Sequence, residues 1–321
     1  LSLLYGRNSP RLSPFFSFPA VLGHEILGEV DGTRVAINPL LACRERGLAP
    51  CVPCQRGDDH RCLNVAEGSL APGMLGFCRD LPGGWSEAVA AHPERLHPIP
   101  DKLPDTRAVL AEPTAVVLRG LRLAFLRNSA YAWPGQLLVI GAGSIGLITV
   151  KLLRLLGFAG ALHVVARYSV QAETARALGA DVIHPSAQAA AQHLGAKAYP
   201  AIIGPEGWRG GFAAVIDAAG SATSLTEATW TVQEGGTLLL LGAPGQVCHD
   251  FSPYWFRELT LVGSYVYTSV DFADAVALLG EAEGLERLVS HSYPLEAYRD
   301  ALTALTKRRA LKVVFRPHAT P

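Results

Sequence analysis

The chain has 321 residues, 28 basic and 28 acidic side chains, a formal net charge of +0 at pH 7 and 49% hydrophobic residues. That balance excludes a general attraction to nucleic acid or to an acidic membrane surface, which leaves a small molecule as the expected partner. The length allows two domains with substantial cores.

No basic segment followed by an apolar run and a small-residue cleavage site opens the chain, so a cytoplasmic location is expected. The most apolar stretch, "LLVIGAGSIGLITVKLLRLLGF", is broken by glycines and by Lys151 and Arg154, which suits a buried strand entering a helix better than a membrane span.

The first hundred or so residues are rich in Pro and Gly. Apolar runs such as "VLGHEILGEV" and "TRVAINPL" lie between turn signals and predict short strands and loops with little helix. Here "CRERGLAPCVPCQRGDDHRC" gathers four of the six cysteines. Cys51 and Cys54 form a CxxC, and seven residues separate that pair from Cys43 on one side and from Cys62 on the other. In a reducing compartment a disulfide knot is excluded. The segment is too polar for a core, and no helix N-terminus in a thioredoxin-like context accompanies the CxxC. Four thiolates can surround one tetrahedral Zn²⁺ at ~2.3 Å each, so structural zinc is the expectation, with His60 as a substitute ligand. Cys78 and Cys248 carry no motif and read as packing residues.

From about Asp105 the texture changes. "DTRAVLAEPTAVVLRGLRLAFL" has helical spacing after an acidic start. Strand and helix then alternate through "QLLVIGAG", "SIGLITVKLLRLLGF", "ALHVVAR", "VQAETARALGA" and "DVIHP", with "AQAAAQHLGAKAYPA" read as helical before its proline. Three further apolar runs, "AAVIDAAG", "GGTLLLLGAPG" and "LTLVGSYV", end at or near glycines. This succession predicts an α/β fold with a doubly wound parallel sheet. The tail contributes a helix at "DFADAVALLGEAE" and a strand at "ALKVVFRP".

"VIGAGSIG" places Gly141, Gly143 and Gly146 at GxGxxG spacing between strand and helix. The first glycine permits the tight turn, the second admits a pyrophosphate and the third lets helix meet strand. Ser144 and Ile145 open the helix whose free N–H groups meet the phosphates. At the end of the second strand, where an acidic residue would hold the 2′-OH of NAD, stand Ala166, Arg167 and Tyr168. No carboxylate repels a 2′-phosphate there and a guanidinium can pair with it, so NADP is expected, with NAD as the alternative.

Together "GHE" at Gly23 to Glu25, the four-cysteine segment, "AEPTAVV" at Ala111 to Val117, "VIGAGSIG" and "LTLVGSY" resemble the zinc-dependent medium-chain alcohol and polyol dehydrogenases, most of all the sorbitol, threonine and glucose dehydrogenase branch. The resemblance implies a GroES-like β domain over residues 1–113, a Rossmann domain over 114–262 and a return of 263–321 to the first domain. It implies two zinc ions, one structural on Cys43, Cys51, Cys54 and Cys62 and one catalytic on His24, with Glu25 and Glu112 as further ligands. Ser2 falls where many members place a proton-relay histidine. The family's first catalytic ligand, a cysteine in a "CG(T/S)D" segment, aligns just ahead of Leu1, and a longer natural chain is therefore expected. Its first two lobe cysteines are ordinarily two residues apart; "RERGLAP" is an insertion.

The implied activity is hydride transfer between a secondary alcohol, polyol or aldose and NADP(H), in a dimer or tetramer. A zinc-independent quinone or enone reductase and a catalytically inactive NADP(H)-binding protein are the competing readings.

Overall fold

The structure, a computed structural model, describes residues 15–126, 133–203, 206–307 and 309–317. Two compact units divide them, one drawn from 1–115 and 266–321 and the other from 116–265.

In the first unit, β1 (Ile26–Val30) and β2 (Thr33–Ile37) form an antiparallel hairpin in register Ile26 to Ile37. Asp31 and Gly32, both at positive φ, make its two-residue turn, the geometry that matches strand twist. After the short helix α1 (Val52–Gln55), β3 (Leu96–Pro98) adds to β2. Ile26, Val35, Ile37, Leu41, Leu75, Cys78 and Leu81 pack into this unit's core. Two helices follow, α2 (Asp105–Ala108) and α3 (Ala111–Phe125), of which α3 passes into the second unit at Val116.

The second unit holds β4 (Gln136–Ile140), α4 (Ser144–Leu155), β5 (Ala161–Val165), α5 (Ser169–Leu178), β6 (Val182–His184), α6 (Ala187–His193), β7 (Lys197–Tyr199), β8 (Gly207–Arg209), β9 (Phe212–Asp217), α7 (Ala222–Thr231), β10 (Val232–Leu240), α8 (Ser252–Phe256) and β11 (Thr260–Gly263). Six of its strands form one parallel sheet in the order β11-β10-β9-β4-β5-β6. Strand order reverses between β4 and β9, the position at which open α/β sheets leave a crevice beyond their strand ends. Residues 137–140 of β4 and 162–165 of β5 are buried without interruption, as in a sheet covered on both faces.

One expected helix is shorter than its composition suggests. The Ala-rich run ends as α6 at His193, and Gly195 at φ 76° turns the chain out of helix. Lys197–Tyr199 then pairs antiparallel with Gly207–Arg209 as a separate hairpin, anchored by buried Trp208.

At the β5–β6 edge of the sheet, His163 Nδ1 and His184 Nε2 lie 2.9 Å apart, and their ring planes differ by 4° with centroids 5.2 Å apart. Those distances put both nitrogens close to the line of centres, so one N–H donates to the other ring's lone pair. His193 meets both rings edge-on. Burial, aided by His184 and His193, pushes His163 down to about 4.

The tail contains α9 (Ser269–Leu279), β12 (Val289–Tyr293), α10 (Tyr298–Thr306) and β13 (Lys312–Phe315). Thr268 and Asp271 form a reciprocal capping box at the start of α9, and β12 and β13 pair in parallel. No helix among the described residues is long and apolar enough to cross a membrane.

Candidate functional site

Three side chains from distant parts of the sequence meet in the first unit. His24 and Glu25 immediately precede β1, and Glu112 sits in the first turn of α3, where the helix dipole favours an acid. One donor atom from each lies within 4.8 Å of the others, and His24 Nε2 is 3.9 Å from Glu112 Oε2. Burial lowers the His24 pKa, which keeps the imidazole neutral and its lone pair available. Burial opposes ionisation of Glu25, but an ion pair with Lys312 of β13 outweighs it and holds this carboxyl below its ordinary value. Glu112 is pushed the other way, to about 8, by burial and by the Glu25 charge.

Two partners of this cluster have no sequence signature. Lys312 is 287 positions from Glu25. Tyr267 is wholly buried, and burial together with the Glu112 carboxylate raises its hydroxyl well above the ordinary value. Phe77 lies against the His24 ring with centroids 4.6 Å apart. Ser2 lies outside the described residues.

The four thiols of the cysteine segment also converge, all within 4.8 Å of one another. Cys43 and Cys62 Sγ are 3.5 Å apart, as are Cys51 and Cys54 Sγ. These separations are too long for disulfides, whose sulfurs lie at ~2.05 Å, and close to the ~3.7 Å edge of a tetrahedron with Zn–S distances of ~2.3 Å. Three N–H groups point at the sulfurs: Cys51 N and Asn64 Nδ2 toward Cys43 Sγ, both at 3.3 Å, and Leu63 N toward Cys51 Sγ at 3.4 Å. Burial opposes ionisation of Cys51, but hydrogen bonds led by those from the Leu63 and Cys54 backbones hold its thiol down at about 6. Burial pushes Cys54 and Cys62 up. Among the described residues the donor group consists of the four cysteines, and His60 stands outside it. Donor type, spacing and N–H support suit a tetrahedral thiophilic ion. Cys78 is buried in the core of this unit and Cys248 is exposed.

In the second unit the glycine turn follows β4. Gly141 adopts φ 98°, and a Cβ on Gly146 would stand 1.8 Å from Gly141 O, so both positions require glycine. A Cβ on Gly143, by contrast, would meet nothing within 4 Å, which leaves the space above it open. Ser144 and Ile145 open the first turn of α4 directly after Gly143. β4 and β5 pair Ile140 with Val165, so Ala166, Arg167 and Tyr168 follow at the same end of the sheet. Ala166 is buried, whereas Arg167 and Tyr168 are exposed at the start of α5.

The family model described as alcohol dehydrogenase GroES-like domain matches residues 3–101, and that described as zinc-binding dehydrogenase matches residues 144–281. The D-altritol 5-dehydrogenase of Agrobacterium fabrum is 30% identical over 297 residues, 87% of this chain and 78% of its own length. The L-galactonate-5-dehydrogenase of Escherichia coli is 29% identical over 298 residues, 88% and 78% respectively. A zinc-binding dehydrogenase from Sinorhizobium meliloti, solved bound to NADP, is 28% identical with a TM-score of 0.70, over 94% of this chain and 83% of that one. The chain belongs to the zinc-dependent medium-chain alcohol and polyol dehydrogenases. It is an oxidoreductase of the alcohol/polyol dehydrogenase type built on GroES-like and Rossmann folds.

Proposed function

We propose that this enzyme interconverts a secondary hydroxyl of a polyol, aldose or related sugar derivative with the corresponding carbonyl, prefers NADP(H), and holds one catalytic and one structural zinc. The observation that carries this reading is the convergence of His24, Glu25 and Glu112 donors within 4.8 Å. The names of the relatives, an altritol and a galactonate dehydrogenase, support the substrate class, and NADP in the Sinorhizobium structure supports the cofactor.

Bound zinc supplies Lewis acidity toward a substrate oxygen, and the nicotinamide carries the hydride. The protein's own groups do the rest. His24 offers a neutral nitrogen whose ring plane Phe77 holds from one side. Glu25 brings negative charge that Lys312 keeps ionised, and Glu112 adds a carboxyl at the head of α3. The turn from Gly141 to Gly146 presents backbone N–H groups to a pyrophosphate, and exposed Arg167 is free to pair with a 2′-phosphate. Ser2 remains our candidate for the relay position. Self-association through the edge strand β11, as a dimer or tetramer, completes the proposal; its residues are largely exposed.

Zinc content and NADP-dependent oxidation of a panel of pentitols and hexitols test the reading together. Two zinc ions per chain and activity lost on chelation are expected, whereas enone or quinone reduction that survives chelation would overturn it. Arg167→Ala tests the cofactor preference: KM for NADP should rise about 10–100-fold, the value of a charge-assisted contact, with little change for NAD. Equal losses on both cofactors would sink the assignment.

A further inference from the structure

The parallel sheet buries an acid that the proposed reaction does not use. Asp217, the last residue of β9, is 0% exposed. It pairs with Ile140 of β4 on one side and with Leu240 of β10 on the other, so it stands where the strand order reverses. Its Oδ1 accepts from Ala219 N at 2.9 Å and Gly220 N at 3.2 Å, and its Oδ2 accepts from Ser224 Oγ at 3.0 Å. Burial raises its pKa in spite of these donors. Burying a carboxyl is costly, and all three donors come from the segment that follows β9.

That segment is built against the glycine turn. A Cβ on Gly141 would stand 2.9 Å from Ala219 Cβ and 3.0 Å from Ala219 N, and one on Gly146 would stand 3.5 Å from Ala218 Cβ. Ala218 N donates to Ile140 O at 3.0 Å, which ties the start of the segment to the residue before the turn. On the other side, Gly220 has φ 63°, and a Cβ there would meet Ala243 N at 2.7 Å. One on Gly242 would meet Gly220 N at 2.3 Å. A row of closely packed backbone thus runs from Gly141 through Ala219 and Gly220 to Gly242, and Asp217 grips its middle by two amides. Although it packs on Gly141, Ala219 is exposed, so the row presents a face to solvent beside the turn.

A dinucleotide lies across such a crevice with one half on each side of the reversal. Arg167, which follows β5, belongs to the side of the adenosine phosphate, and the β9–β10 side is left for the other half. We propose that Asp217 is a positioning residue for the nicotinamide half of the cofactor, holding the segment from Ala218 to Gly220 against the glycine turn as the support on which that half rests. The inference rests on the NADP(H) reading of the nucleotide fold. A merely structural acid, closing β9 onto the Ser221–Ser224 capping box of α7, would act on stability alone.

The test is isothermal titration of the full-length protein with NADPH and with 2′,5′-ADP, which carries the adenosine half alone. Asp217→Ala should raise the Kd for NADPH about 10-fold, the scale of a lost buried hydrogen bond, and leave that for 2′,5′-ADP unchanged. Asp217→Asn keeps an acceptor for both amides and should bind both ligands as the wild type does. Equal weakening of the two ligands by Asp217→Ala, unchanged NADPH binding, or an Asp217→Asn variant as weak as Asp217→Ala would overturn the proposal. Should Asp217→Ala not fold, Asp217→Val, which fills a similar volume with a residue suited to a strand, is judged by the same split. A wild-type protein that prefers NADH fails the NADP(H) reading alone, and NADH with 5′-AMP then tests Asp217 in the same way; one that binds neither dinucleotide overturns both.

Discussion

The two donor clusters of the first unit are built in opposite ways. The thiols all come from positions 43–62 and are closed by short turns, so the loop entropy of bringing them together is small. His24, Glu25 and Glu112 are spread from β1 to α3, and the cation that holds Glu25 ionised comes from the last strand. One cluster is a property of a segment; the other is a property of the finished unit. A local site tolerates changes elsewhere and a distributed one does not, so the lobe is the natural place for a structural ion and the distributed set for one whose surroundings are tuned.

The largest expected effect tests the turnover half of that contrast. His24→Ala or Glu112→Ala should lower kcat by more than about 100-fold, since even outer partners of a metal site are worth 10–100-fold, while lobe zinc and NADPH binding persist. Steady-state kinetics beside metal analysis checks it, and simultaneous loss of both zinc ions would erase the distinction between the clusters. Next comes Cys54→Ser, which should remove one zinc per chain and lower Tm by about 10 °C, as expected for a loss of several kcal/mol in a unit of this size. Unchanged metal content in that variant would break the comparison at its other end.

The smallest effect comes from the buried imidazole pair of the sheet, which lies outside both donor clusters. The folded-state pKa of His163 lies near 4, below that of an unfolded histidine near 6.5. The unfolded chain therefore binds more protons between those values, and stability is fully present above about pH 6.5 and falls as pH drops toward 4. Urea midpoints across that window should show the slope, and His163→Leu should flatten it. A wild-type profile with no slope would contradict neutral burial of the pair.

What could be read from the sequence follows the same division between local and distributed. The lobe was legible because metal-ligand spacing is local, and the strands and helices around Gly141–Gly146 because a buried parallel sheet writes continuous apolar runs between helical periods. His24, Glu25 and Glu112 were legible only through family resemblance; a single histidine or a first-turn glutamate carries no local signal of a partner. Lys312 and Tyr267 were not legible at all, since each reads as an ordinary residue of a strand or turn until the tail returns to the first unit. The hairpin of β7 and β8 escaped because an alanine-rich run promises helix, and tertiary cover of Trp208 decided otherwise.

The ion pair between Glu25 and Lys312 carries a consequence for the order in which the molecule is made. The parallel sheet has all six of its strands once Gly263 has left the ribosome, about fifty residues ahead of Lys312. The nucleotide-fold unit can therefore close during translation while Glu25, made well before it, still waits for its cation. A nascent chain released short of β13 would keep a complete glycine turn and a complete cysteine lobe, yet leave an unneutralised acid beside His24.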